Sequence, residues 1–106
     1  MDAALRAIAE PRRREILRLI GPNEVPAGEI ASHFSVSRPA ISQHLRILAD
    51  AGLVEERRAG TRRLYRLRLE GLSEIQEYLA GFWSGRLNLL KAAAEAAERD
   101  GRTAVD

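Results

Sequence analysis

Apolar positions along the first half of the chain recur three and four residues apart, the period of a helix buried on one side. Residues 3–9 (AALRAIA) place Leu5 and Ile8 on one side of a short helix. Pro11 restarts the chain, because proline is accommodated in a first helical turn. Residues 11–20 (PRRREILRLI) then carry Ile16, Leu17 and Ile20 at helical spacing, and GPNEVP breaks the pattern. AGEIASHF (27–34) predicts a third short helix with Ile30, Ala31 and Phe34 turned inward, followed by the turn SVS. A fourth helix spans 38–50, with Ser37 as its N-cap. Pro39 falls in its first turn, where a missing N–H breaks no intrahelical bond. Ile41, Leu45 and Leu48 make the buried stripe, while Pro39, Ser42, Gln43 and Arg46 point the other way. Gly52 supplies the left-handed stop.

The period then changes to alternation. LVEERR (53–58) and RRLYRLRL (62–69) flank AGT, a tight glycine-containing connection, and read as a β-hairpin. In the second arm Arg63, Tyr65, Leu67 and Leu69 alternate with Arg62, Leu64, Arg66 and Arg68, one face mostly apolar and the other mostly arginine. From about Leu72 to Glu98 the helical period returns through Ile75, Leu79, Phe82, Trp83, Leu87, Leu90, Ala94 and Ala97. The tail GRTAVD offers nothing to pack and is expected to fray.

The 106 residues suit one domain, 1–106, with one core. No apolar run is long enough for a bilayer and no basic-then-apolar leader opens the chain, so the expected compartment is the cytoplasm, with no membrane partner. With no cysteine and two histidines, His33 and His44, a metal site built by this chain is not expected, nor any cofactor. Ser42 and His44 diverge on their helix with no acid placed to orient them. Lacking also a glycine-rich phosphate loop, the chain is not expected to be an enzyme.

Charge adds a direction. Residues 1–68 hold 13 Arg against 8 Asp and Glu, whereas 69–106 hold 4 basic against 7 acidic residues. A basic front suggests a polyanionic partner. Sixteen of the 17 cations are arginine, suited to bidentate contacts with phosphate and guanine, although a GC-rich genome would produce the same bias.

Three helices, a short turn, a polar-faced fourth helix and a basic hairpin compose a winged helix-turn-helix, mainly α with a β-hairpin (α+β). A helix about 10–12 Å across enters a major groove about 12 Å wide. Gln pairs with adenine and Arg with guanine there, and hairpin arginines reach adjacent phosphates or the minor groove.

The runs PRRREILRLI and GEIASHFSVSRPAISQHLRILADAGLVEERRAGTRRLYRL resemble the ArsR-type (ArsR/SmtB) family of bacterial winged-helix repressors. The resemblance implies a homodimer that binds an operator and represses transcription, with double-stranded DNA as partner. It implies a reading segment from Ser37 to Arg46, in which Ser37, Arg38, Pro39, Ala40, Ser42, Gln43, His44 and Arg46 are assigned to DNA, and wing contacts from Gly60, Thr61, Arg62 and Arg63. His44, at the edge of the buried stripe, is either packed or on a phosphate. Metal-sensing members carry cysteines in the third or fourth helix, or His, Asp and Glu ligands on the last. This chain has no cysteine and no histidine in its last helix, and its Phe82–Trp83 pair is closer to a non-metal, autoregulatory subgroup.

The stripe Leu79, Phe82, Trp83, Leu87 and Leu90 is too wide to hide against one small core. With Leu5 and Ile8 it predicts a two-fold seam and hence an imperfectly palindromic operator. The alternative is a protein-interaction module that binds another protein through Phe82 and Trp83. Gly81 and Gly85 mark either a kink or a close helix contact.

Overall fold

Eight elements follow one another in the computed structural model, which describes residues 1–104, the side chains of Trp83 and of residues 101–104 excepted. They are α1 (Asp2–Ala9), α2 (Pro11–Leu19), β1 (Val25–Pro26), α3 (Ala27–Ser32), α4 (Arg38–Asp50), β2 (Val54–Ala59), β3 (Arg62–Leu67) and α5 (Leu69–Ala104). The chain divides into two compact units, Met1–Ile75 and Gln76–Asp106.

In the first unit the core is aliphatic: Ile16, Ile20, Ile30, Ile41, Leu45, Leu48 and Leu53 are all but sealed from solvent, joined by Ala4, Ala7, Val54, Tyr65 and Ile75. α2, α3 and α4 each bury residues of their predicted stripes here, whereas α1 buries Ala4 and Ala7, and its predicted Leu5 and Ile8 are half-buried beside them. Burying such side chains supplies about 1.5–3 kcal/mol each, the main drive to fold.

Local sequence sets the helix ends. Glu10 caps α2 by accepting from the Arg13 amide at 3.0 Å, and Pro11 opens the helix. α3 stops at Ser32, two residues earlier than its apolar pattern predicts. The amides of His33 and Phe34 bond to the carbonyls of Ile30 and Ala31, three residues back, which tightens and ends the helix. GPNEVP, expected only to break a helix, ends in the two-residue strand β1. It pairs antiparallel with β3, Val25 opposite Tyr65 and Pro26 opposite Leu64. The sheet therefore has three strands in the order β1-β3-β2, not two. The hairpin turn is Gly60–Thr61 alone, since Ala59 pairs with Arg62, and Gly60 takes the left-handed conformation at φ 64°.

α5 begins at Leu69 rather than near Leu72. Arg68 donates its amide to the Leu53 carbonyl, and its own carbonyl receives the Gly71 amide at 3.1 Å, so extended pairing ends and a helical turn begins there. Leu69, expected on the apolar face of the second arm, is consequently helical and 63% exposed. At its far end α5 is assigned beyond Glu98, through Ala104. Val105 and Asp106 of the tail lie outside the described residues. No helix among the described residues is long and apolar enough to cross a membrane.

Candidate nucleic-acid interface

α4 is fixed at both ends. The Ser37 hydroxyl accepts from the Ala40 amide at 3.3 Å, with proline in the first turn. At the other end the Leu53 amide bonds to the Leu48 carbonyl and the Gly52 amide to that of Ala49, a Schellman stop that needs the φ of 78° at Gly52. Ile41, Leu45 and Leu48 anchor the inner face. Ser37, Arg38, Pro39, Ser42, Gln43 and Arg46 are exposed, and Ala40 is half-buried among them. The outward face thus carries hydrogen-bonding groups on a rigid rod.

His44 is turned to the helix's flank. Half-buried, its Nδ1 lies 3.4 Å from Nη1 of Arg13 and 4.0 Å from the Glu10 carboxylate. Arg13 also donates from Nε to the Ala7 carbonyl at 2.7 Å and from Nη2 to that of Arg6 at 3.3 Å. Arg14 serves the carbonyls of Ile8 and Ala9 at 2.8 and 3.0 Å. Arg12 stacks over the Phe34 ring at 5.2 Å and pairs with Glu15. The RRR run at the start of α2 therefore satisfies the open end of α1 and the core's edge, and His44 joins that network.

In the wing, the ladder register assigns every side chain a face. Glu56 opposes Tyr65 and Arg58 opposes Arg63, while Glu55 opposes Arg66 and Arg57 opposes Leu64 on the reverse side. Two arginines of the reverse side are neutralised, while Arg62, opposite Ala59 at the tip, is not. Arg57 makes a bidentate pair with Glu24 at 2.8 and 2.9 Å, and Arg66 donates to Glu55 at 2.9 Å. Hydrogen bonding to Arg57 holds the Glu24 carboxyl below its ordinary range and raises the guanidinium's own pKa. Arg63 pairs loosely with Glu56 at 3.6 Å. Among the described residues no carboxylate pairs with Arg38, Arg46, Arg58 or Arg62.

Two hollows flank the outer face of α4. One is lined by Pro26, Ala27 and Gly28, by Arg38 and Ser42, and by Thr61, Arg62 and Arg63 at the wing tip. A β-carbon on Gly28 would stand 3.3 Å from the Arg38 guanidinium, so the bare glycine lets that side chain lie over the start of α3. The other, between α4 and the inner wing, is lined by Ser42, Gln43, Arg46 and Asp50 facing Glu56, Arg63 and Tyr65. Eight of the twelve DNA-assigned residues line these hollows; Ser37 and Ala40 lie at the start of α4 beside them, Gly60 is in the hairpin turn, and His44 faces the helices behind. Gly28 and Glu56 also line them, and Arg58 lies opposite Arg63 on the same wing face as Glu56. Hairpin register would have shown Glu56 and Arg58; nothing local marked Gly28.

Among the described residues no three His, Asp or Glu side chains gather closely enough to hold a metal ion, and the sequence has no cysteine. In the second unit, α5 leaves Tyr78, Leu79, Phe82, Leu87, Leu89 and Leu90 exposed, Leu89 by 73%. Trp83 lies on this helix, its side chain outside the description.

The chain has close counterparts. A helix-turn-helix domain family matches residues 8–57. An HTH-type transcriptional regulator of Mycobacterium tuberculosis, Rv2034, is 43% identical over 81% of this chain and 80% of its own. The transcriptional repressor SdpR of Bacillus subtilis is 37% identical over 77% of this chain and 91% of its own. A crystal structure of a possible transcriptional regulator for arsenical resistance superposes with a TM-score of 0.73 at 42% identity, covering 85% of this chain and 94% of that one. So does the solution structure of a homodimeric winged helix-turn-helix DNA-binding domain from Mycobacterium bovis, a possible ArsR-family regulator, with a TM-score of 0.63 at 30% identity over 78% and 77% of the two chains.

Proposed function

Since the chain belongs to the ArsR family of winged helix-turn-helix transcriptional regulators, proteins that bind DNA and are not enzymes, we propose that it is a homodimeric repressor of an imperfectly palindromic operator that works without a metal cofactor. The reading is carried by the outer face of α4, where Ser42, Gln43 and Arg46 stand exposed on a helix locked at both ends and face the wing across a groove. Gln43 and Arg46 read base edges. Ser37, Arg38, Thr61, Arg62 and Arg63 hold the flanking phosphates, which fix register without reading sequence.

Two copies join through the apolar face of α5, with Leu79, Phe82, Leu87 and Leu90, and through Leu5 and Ile8 of α1. The exposed leucines and the homodimeric Mycobacterium bovis structure support this assembly. A two-fold dimer sets its reading helices about 10 bp apart or a multiple of that. The absence of cysteine supports metal independence, and repression of its own promoter fits a small repressor of this type.

Selecting bound fragments from a random DNA pool and sequencing them tests the reading. Enrichment of a motif with two inverted half-sites is the expected result, unchanged by chelator or added zinc. Failure to shift any DNA at moderate salt would favour a protein-interaction module instead.

A further inference from the structure

The inner face of the wing carries a charge arrangement that costs the free protein stability. Arg58 and Arg63 stand directly opposite each other across the β2–β3 ladder, and like charges in that position are destabilising. Glu56 follows on the same face of the ladder, opposite Tyr65, with its carboxylate 3.6 Å from Nε of Arg63. It is also the wing's contribution of negative charge to the groove that holds Ser42, Gln43 and Arg46. Both members of the Glu56–Arg63 pair are largely in water, 37% and 53% exposed, so the contact is loose and readily exchanged. The buried ring of Tyr65 sits beside them, its hydroxyl pushed to higher pKa by burial and then by the Glu56 charge, with Arg63 opposing.

We infer that Glu56 is a built-in stand-in for a DNA phosphate: it occupies Arg63 in the free protein and restrains the sequence-independent part of DNA binding. This rests on the DNA-binding reading above. A backbone entering the groove must take Arg63 from Glu56 and run beside the displaced carboxylate, which repels it. A loose, single-nitrogen pair orders Arg63 little, so repulsion outweighs any gain from pre-positioning. Phosphate contacts supply nearly all random-sequence binding; the base contacts of α4 are made by other side chains. Glu56 therefore weakens operator and random DNA by a similar factor and lowers the time spent on the vast excess of non-operator sites.

The test compares the parent with Glu56→Gln and with Glu55→Gln, which removes the same charge from the reverse face of the wing. Fluorescence anisotropy measures binding of the full chain to two duplexes of about three helical turns, one random and one carrying the selected motif, between 50 and 200 mM salt. Glu56→Gln should bind both duplexes about threefold to tenfold tighter at the lowest salt, with a log–log salt slope steeper by about one, while Glu55→Gln changes binding by less than about twofold. A Glu56→Gln protein that binds no tighter, or a Glu55→Gln protein that matches it, overturns the inference while leaving the proposed function intact. A parent that binds neither duplex overturns both.

Discussion

Gly71 at the start of α5 lies so close to the carbonyl of Gly52 that a β-carbon there would overlap the oxygen. The Arg68 guanidinium donates to the same carbonyl at 3.3 Å. The stop of α4 and the start of α5 are thus in backbone contact. Gly71→Ala must push them apart, at about 2–3 kcal/mol in an overpacked site, and thermal melting should fall by several degrees. Gly81, with open space around it, should behave oppositely: Gly81→Ala raises helix stability by about 1 kcal/mol.

The reading face and the wing tip should fail differently. Gln43→Ala and Arg46→Ala are expected to lose about 1–3 kcal/mol of operator binding, relax the motif and leave melting unchanged. Arg62→Ala should weaken operator and random DNA alike and flatten the salt slope by about one. Quantitative gel shifts on both duplexes separate the two patterns; identical behaviour of all three variants would contradict the assignment.

Arginines of the same basic front should also divide by role. Arg13→Ala leaves carbonyls of α1 without their donor and should cost about 1–3 kcal/mol of stability. Arg58→Ala removes one of two opposed cations and should leave stability within about 0.5 kcal/mol, or slightly raised, while weakening DNA binding. Urea unfolding of the two variants checks the contrast.

Leu87→Asp with Leu90→Asp places charge in the proposed seam, where an unpaired buried ion is strongly unfavourable. Light scattering at micromolar concentration should find monomers, with operator binding weakened. A parent already monomeric there would end both the seam and the palindrome.

The Tyr65 hydroxyl has a raised pKa in the folded protein, chiefly through burial. Its contribution to stability is therefore complete below the ordinary tyrosine pKa of about 10 and is lost as pH rises through and above that value. Tyr65→Phe should abolish this part of the alkaline decline in melting temperature; an unchanged decline would show that other groups carry it.

α4 was legible because each of its determinants is local: the Ser37 hydroxyl, Pro39 in the first turn, the stripe Ile41–Leu45–Leu48 and Gly52 at the stop. The alternation in β3 was equally plain. β1 was not, because Val25 and Pro26 are extended only through partners some 40 residues later, Tyr65 and Leu64. Leu69 fits the strand's alternation perfectly well, yet backbone bonds of Arg68 to Leu53 and Gly71 draw it into α5. Charge was legible along the chain and not in its pairing. Only the folded chain brings Glu24 to Arg57 and Arg13 to His44, and so separates structural arginines from those facing outward.

The sheet's two outer strands have a bearing on how the protein survives at high concentration. An open strand edge is a template on which another chain can polymerise into aggregates. On one side that edge is only two residues long, and Pro26 has no amide to offer. On the other, β2 is crowded with Glu55, Glu56, Arg57 and Arg58, and charged edges discourage pairing. A wing guarded on both edges is a poor template for another copy of the chain, whatever its concentration.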